Sequence, residues 1–381
     1  MEESAPHVIV VAGDPSGDIH AANLIREMKR LNPGLRFSGL GGAQMAAAGV
    51  EVYQDLTKIS AIGFFEFLKH FGEIQKAFTL ILQKVDTIKP AAVILVDYAG
   101  FNLRLAKALK KRKQKIFYYI SPQVWASREG RVQTIRRYVD KLFVLFKFEE
   151  EFYAKRNVHV EFVGHPLLDS VKPTCPAEDF LRSIGFDTHK ITIALLPGSR
   201  SREVEQHLPL MIEAARLLQE DHPRLQFIIL KAEHLDVVLF EPHLRGCHFS
   251  IKLVHHQTYD GINASQLCLV ASGTATLEIA VLEKLMVVVY KTSSLTWAIA
   301  RMLVKIPYIA MVNIMAGRKV VPELVQFDLT VEKIVAEVQE ILKDELKITA
   351  MKAELKKIKA TLGEPGASAR AARKMLELIE S

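Results

Sequence analysis

The chain reads as an α/β protein built from two doubly wound parallel-sheet halves with a cleft between them. Three observations carry that reading. Short β-branched, apolar runs recur through the first half: "HVIVVA", "RFSGLGG", "AAVILVD", "KIFYYIS", "KLFVLF" and "HVEFVG". Amphipathic segments such as "GFNLRLAKALKKRKQ" separate several of them, with apolar residues recurring at three and four. Continuous apolar strands joined by helical crossovers form parallel sheets covered on both faces. After Val171 the polar, Pro-containing "KPTCPAEDFLRSIGFDTHK" reads as an interdomain segment. The pattern then restarts with "ITIALLPG", "QFIILKA", "IKLV", "LCLVASG" and "MVVVYK". At 381 residues the chain is long enough for two domains with separate cores. We expect them over 1–172 and 190–350, with a helical tail over 351–381 that packs back on the first.

Composition narrows the function. The net charge of +7 suits an anionic ligand such as a nucleotide phosphate, a phosphorylated sugar or an acidic lipid. Cys175, Cys247 and Cys268 are scattered, without C-x-x-C spacing, which disfavours disulfides and structural zinc and fits a reducing cytosol. The N-terminal "MEESAPH" is acidic and polar, so a signal peptide is not expected. The most apolar stretch, Met286 to Ala316, is interrupted by Lys291, Arg301 and Lys305 and does not reach a membrane-spanning run.

Four loops, one helix and one basic segment are candidates for chemistry. "VAGDPSGDIH" follows the first strand but is not the dinucleotide fingerprint G-x-G-x-x-G. Its Gly13 and Gly17 let a ligand approach the backbone, and Asp14, Asp18 and His20 offer acid–base or hydroxyl-binding groups. "AAVILVDYAG" ends a buried strand on Asp97, a candidate general base if burial raises its pKa; capping the next helix is the plainer role. In the second half, "LLPGSRSREVE" offers Ser199 and Arg200 to an anion at a helix N-terminus. "VASGTATLE" adds Ser272, Gly273 and Thr274 for phosphate. Glu278 stands one turn beyond Thr274, where a carboxylate can bridge ribose hydroxyls. "AIGFFEFLKHF" sets Phe64, Phe67, Leu68 and Phe71 at i, i+3, i+4 and i+7, widened by Phe65. Such a stripe is either core or an interfacial face for acyl chains or membrane. The segment holding Arg128, Arg131, Arg136, Arg137 and Lys141 suits phosphate or acidic lipid. No nucleic-acid module accompanies it, and no D-x-D, H-E-x-x-H or carboxylate cluster points to a metal.

Together "AGDPSGDIHAANLI", "GLGGAQMAAAGVE", "VDYAGFNLRLAKALKK", "YYISPQVWASREGRVQTI", "FVGHPLLD", "LLPGSRSREVEQHLPLM", "ASGTATLE" and "NIMAGRKVVPELVQ" resemble the lipid A disaccharide synthase family. The resemblance implies a GT-B glycosyltransferase fold of two Rossmann-like domains facing a cleft. It also implies an inverting transfer of 2,3-diacylglucosamine from its UDP derivative to 2,3-diacylglucosamine 1-phosphate, through a β-1,6 linkage, with UDP released and no metal or other cofactor. It places Arg200 and Thr274 on the diphosphate, Glu278 on the ribose, Asp97 at the acceptor hydroxyl, and Asn313 and Arg318 of "NIMAGR" in the cleft. The resemblance further implies an enzyme of Gram-negative bacteria, and its acylated substrates one that is cytoplasmic and peripheral on the inner face of the cytoplasmic membrane; a homodimer is left open. Two positions depart from the family pattern: Asp14 stands where it usually has glutamate, and Ser127 where W-A-W-R has its second tryptophan. The alternatives are a peptidoglycan N-acetylglucosaminyltransferase, a UDP-N-acetylglucosamine 2-epimerase, a non-catalytic lipid- or nucleotide-binding protein, and an oxidoreductase disfavoured by the missing fingerprint.

Overall fold

A computed structural model describes residues 6–60, 71–126, 129–293, 297 and 307–381. The chain forms two compact units, Met1–Pro166 with Leu362–Ser381, and Leu167–Thr361. The expected Phe64, Phe65, Phe67, Leu68 and Arg128 lie outside the described residues.

In the first unit, β1 (His7–Ala12), α1 (Pro15–Leu31), β2 (Arg36–Gly41), α2 (Ala43–Ala47), β3 (Glu51–Asp55), α3 (Thr57–Ser60) and α4 (Phe71–Ile88) come first. They are followed by β4 (Ala92–Val96), α5 (Ala99–Lys110), β5 (Ile116–Tyr119), α6 (Arg131–Tyr138), β6 (Lys141–Val144), α7 (Lys147–Ala154) and β7 (Val160–Phe162). All seven strands are parallel, in the order β3-β2-β1-β4-β5-β6-β7. Residues Val8 to Ala12 and Ala92 to Val96 are buried throughout. That follows from their unbroken apolar sequence, which has no polar face to give to water. The strand order reverses between β1, paired with β2, and β4. This is the switch point, where adjacent loops leave the carboxyl ends in opposite directions and open a crevice. The loops there are Gly13–Asp14 and Asp97–Tyr98.

The second unit repeats the plan. It begins with α8 (Leu167–Ser170), α9 (Ala177–Ser183), β8 (Ile191–Leu196), α10 (Ser201–Asp221), β9 (Leu225–Leu230), α11 (Glu241–Leu244), β10 (Ile251–Val254) and α12 (Thr258–Ala264). It continues with β11 (Leu267–Ala271), α13 (Ala275–Val281), β12 (Leu285–Tyr290), α14 (Met311–Ala316), β13 (Glu323–Val325), α15 (Val331–Lys343) and α16 (Glu345–Thr361). Its parallel sheet runs β10-β9-β8-β11-β12-β13, so the switch point lies between β8 and β11. The "PGSR" and "SGT" loops leave there. The chain's last helix, α17 (Ala367–Glu380), belongs to the first unit and packs on α1. Arg370 ties it down by donating from Nε to the Val163 carbonyl at 2.9 Å. Among the described residues no helix is long and apolar enough to cross a membrane.

Candidate active site

At the first switch point Asp97 follows β4 by one residue, and Asp14 follows β1 by two. Burial pushes the Asp97 carboxyl up to about 7, and the nearby Asp14 charge adds to it, while the Tyr98 N–H works in the opposite direction. A carboxylate at that value is poised to take a proton near neutrality. Burial also raises Asp14, against the Gly17 N–H that its Oδ1 accepts at 2.5 Å as the N-cap of α1. His20 is driven down to about 4 by burial, and its Nδ1 has no partner among the described residues, so at pH 7 it is a neutral imidazole.

The same loop is held by contacts of its own chain. Asp18 is 3% exposed and accepts the N–H groups of Gly42 (2.8 Å), Gln44 (2.9 Å) and Met45 (3.1 Å). Both oxygens are engaged by the loop after β2, which Asp18 anchors. Gly13 and Gly17 sit close against their own chain. A Cβ at Gly13 would lie 2.0 Å from the Tyr98 ring, and one at Gly17 3.0 Å from Asp14 Oδ1.

At the second switch point the loops are open. Gly273 and Thr274 are exposed, and a Cβ at Gly273 would meet no atom within 4 Å. Thr274 precedes α13 without capping it through its side chain. Ser272 donates its hydroxyl to the Ile309 carbonyl at 2.9 Å, which fixes the loop's start. Glu278 sits on the first turn of α13, and burial raises its pKa; its carboxylate accepts from the Tyr259 hydroxyl at 3.4 Å. A half-buried carboxylate with one long hydrogen bond gains from two further hydroxyl donors.

The "PGSR" loop differs from expectation in one respect. The carboxylate of Glu203 already accepts the N–H groups of Ser199 (2.9 Å) and Arg200 (3.3 Å) and pairs with Arg200 Nη1 (2.9 Å). The helix N-terminus is thus capped by its own chain, and Arg200, whose side chain is 78% exposed, is the group turned to solvent. Asn313 and Arg318 both have partners within their own unit. Asn313 is fully buried; its Oδ1 accepts from Val320 and Val321, and its Nδ2 donates to the Val321 carbonyl and to Glu323. With no group left for a ligand, it clasps the turn between α14 and β13. Arg318 is half-exposed and paired with Glu354 on α16 at 2.5 Å.

Several further residues hold these loops in place. Fully buried His207 on α10 is 2.8 Å from the Pro197 carbonyl through Nδ1 and accepts the Lys291 N–H at Nε2 (2.9 Å). That pairing fixes the Nδ1–H tautomer and joins the "PGSR" loop to the end of β12. Glu323 holds the N–H groups of Ile309 and Ala310, both at 3.0 Å, and so supports the carbonyl that Ser272 binds. In the first unit Glu149 is pushed up to about 7 by burial, beside Ser121 and Tyr153, whose hydroxyls lie 2.7 Å apart. The signal for His207 and Asp18 was available: each is a polar residue on the buried, i/i+3/i+4 stripe of its helix.

Two parallel-sheet units, each presenting loops at its switch point, give the two-domain plan of the GT-B fold. A structure of S. aureus MnaA with UDP superposes with TM-score 0.67 at 15% identity, covering 99% of this chain and 98% of that one. A UDP-GlcNAc 2-epimerase from Neisseria meningitidis bound to UDP-GlcNAc gives 0.60 at 12% identity, covering 98% and 100%. At such identities these likenesses show the fold alone. The family model for lipid-A-disaccharide synthetase matches residues 8–377, and the chain belongs to that family. It is 42% identical to the lipid-A-disaccharide synthase of Anaeromyxobacter dehalogenans (98% of this chain, 97% of that protein) and 40% identical to that of Geobacter metallireducens (98% and 97%). The chain is accordingly a glycosyltransferase of lipid A disaccharide synthesis, and the epimerase and binding-protein alternatives are not favoured.

Proposed function

We propose that the second unit binds UDP-2,3-diacylglucosamine and the first unit binds 2,3-diacylglucosamine 1-phosphate, with Asp97 as general base. The observation that carries this is a carboxyl at a switch point held near pKa 7 by burial and by Asp14. Asp97 takes the proton of the acceptor 6-hydroxyl, and that oxygen bonds to the anomeric carbon of the donor. The bond from that carbon to the UDP oxygen breaks, its electron pair leaves with UDP, and attack from the opposite face gives the β linkage. Arg200 and the Ser272–Thr274 loop offset the charge on the departing diphosphate, and Glu278 takes the ribose hydroxyls. Because both substrates are acylated and the chain carries a net charge of +7, we place the enzyme at the inner face of an anionic membrane.

Release of UDP from radiolabelled donor is expected only when the acceptor is present. Asp97→Asn is expected to lower kcat by about 10²- to 10⁴-fold. The same variant has a stability signature. The folded-state pKa lies above the ordinary 3.8, so ionising Asp97 costs the native state stability as pH rises from about 4 through about 7. Asn removes that cost, so Asp97→Asn is expected to raise Tm at pH 8 and to leave it unchanged at pH 4. Turnover by Asp97→Asn at the wild-type rate would remove Asp97 as the base.

A further inference from the structure

Two consecutive residues after β4 occupy the left-handed region: Asp97 at φ 44° and Tyr98 at φ 45°. Neither is glycine, and side chains with a Cβ resist that conformation. Backbone of this kind persists only where its surroundings over-determine it, and it concentrates at functional sites.

The surroundings that hold it are specific. Asn102 on α5 is fully buried, and its Nδ2 donates to the carbonyls of Val96 (3.1 Å) and Asp97 (2.9 Å). Tyr118 on β5 is also fully buried, and its hydroxyl donates to the same Asp97 carbonyl at 2.5 Å. The Tyr98 carbonyl accepts the N–H groups of Phe101 (3.1 Å) and Asn102 (3.0 Å), which starts α5. The carbonyls of three successive residues are therefore fixed, and with them the direction in which the Asp97 side chain leaves the backbone.

A second observation concerns the other end of the same amide. Asn102 Oδ1 is buried and has no hydrogen-bond partner among the described residues. The nitrogen end is the one the backbone uses, on the carbonyls of Val96 and Asp97. Turning the amide over would set its oxygen against two carbonyl oxygens, so the orientation is dictated by the backbone it serves.

We infer that Asn102 and Tyr118 are positioning residues that hold Asp97 in the left-handed conformation from which its carboxyl meets the acceptor hydroxyl. Neither touches a reacting atom; both act through the Asp97 carbonyl. The inference rests on the reading of Asp97 as the general base and deepens it.

The test uses full-length Tyr118→Phe, Asn102→Ser and Asp97→Asn, with kcat, the KM of each substrate and Tm measured for all three. Tyr118→Phe deletes a single oxygen and is expected to fold even if Asn102→Ser does not. A misplaced base costs up to about 100-fold, so we expect kcat to fall by roughly 10-fold in Tyr118→Phe and roughly 100-fold in Asn102→Ser, with both KM values within about twofold of wild type. Wild-type kcat in the folded variants overturns the positioning role while leaving Asp97 as base, provided Asp97→Asn is inactive. Losses of kcat that track a fallen Tm and a raised KM assign both residues to stability alone and also overturn it. Full turnover by Asp97→Asn overturns the base and the positioning role together.

Discussion

The two sheets place loops at equivalent switch points and finish them in opposite ways. In the first unit the loops are closed: Gly13 is packed under the Tyr98 ring, Asp97 and Tyr98 are left-handed, and Asp14 is tied to Gly17. In the second the loop after β11 is open, with exposed Gly273 and Thr274 and an uncrowded backbone. The difference matches the chemistry proposed for each. A base needs a low-dielectric, rigid setting that shifts its pKa. A diphosphate is already charged and needs donors it can reach, and glycine there lets it approach the backbone.

One pair of substitutions can break this contrast, and it carries the largest expected effect. An alanine at Gly13 must displace the Tyr98 ring, since its Cβ would stand 2.0 Å from Cδ1. Overpacking of this kind costs about 1–3 kcal/mol, or a Tm loss of roughly 3–10 °C for a unit of this size. Gly273→Ala meets open space, so its Tm is expected within about 1 °C of wild type while UDP affinity falls. Scanning calorimetry of both variants decides the matter. Equal Tm losses would mean that the two loops are built alike.

The next effect sharpens the open side. Glu278→Gln keeps the shape of the side chain and removes the charge that strengthens hydrogen bonds from ribose hydroxyls. A hydrogen bond to a charged group contributes about 1.5–3 kcal/mol, so UDP affinity by titration calorimetry is expected to fall roughly 10- to 100-fold. Uridine should lose affinity with UDP, whereas inorganic diphosphate should not, because Glu278 is assigned to the sugar. An equal loss for diphosphate would place the carboxylate elsewhere.

Much of this was legible in the sequence, and what was not has a common cause. The strands and both pairs of switch-point loops could be read because an apolar run ending in glycine or aspartate is a local signal: "VILVD" for Asp97, "LVASGT" for Thr274. Asp18, Asn102 and His207 each interrupt the apolar stripe of a helix, so their burial was also readable. Which backbone groups they satisfy was not, because those groups come from distant loops: Gly42 for Asp18, Lys291 for His207. Gly13 was assigned to a ligand because its true neighbour, Tyr98, is brought there only by the pairing of β1 with β4. Glu203 carries a local signal, since it stands three residues past Arg200, the spacing at which a glutamate closes back on a helix start.

The smallest effect separates the two carboxylates of the closed site. Asp14 raises the Asp97 pKa by its charge, second to burial, and its other role is to cap α1. Asparagine caps a helix about as well as aspartate, so Asp14→Asn removes the charge and preserves the cap. Asp97 acts in its ionised form, so kcat/KM should rise with pH and level off above a midpoint near 7 in the wild type. Without the Asp14 charge the ionised form of Asp97 is less disfavoured, and the midpoint moves down. The variant should therefore lose less of its plateau activity than wild type at pH 6 and show the same plateau at pH 8.5. Asp14→Glu restores the charge on a longer arm, as in the usual family pattern, and should return the midpoint toward the wild-type value. A midpoint unmoved in Asp14→Asn would mean that burial alone sets the Asp97 pKa. A plateau lost in Asp14→Asn with the cap intact would instead make Asp14 a participant in the transfer.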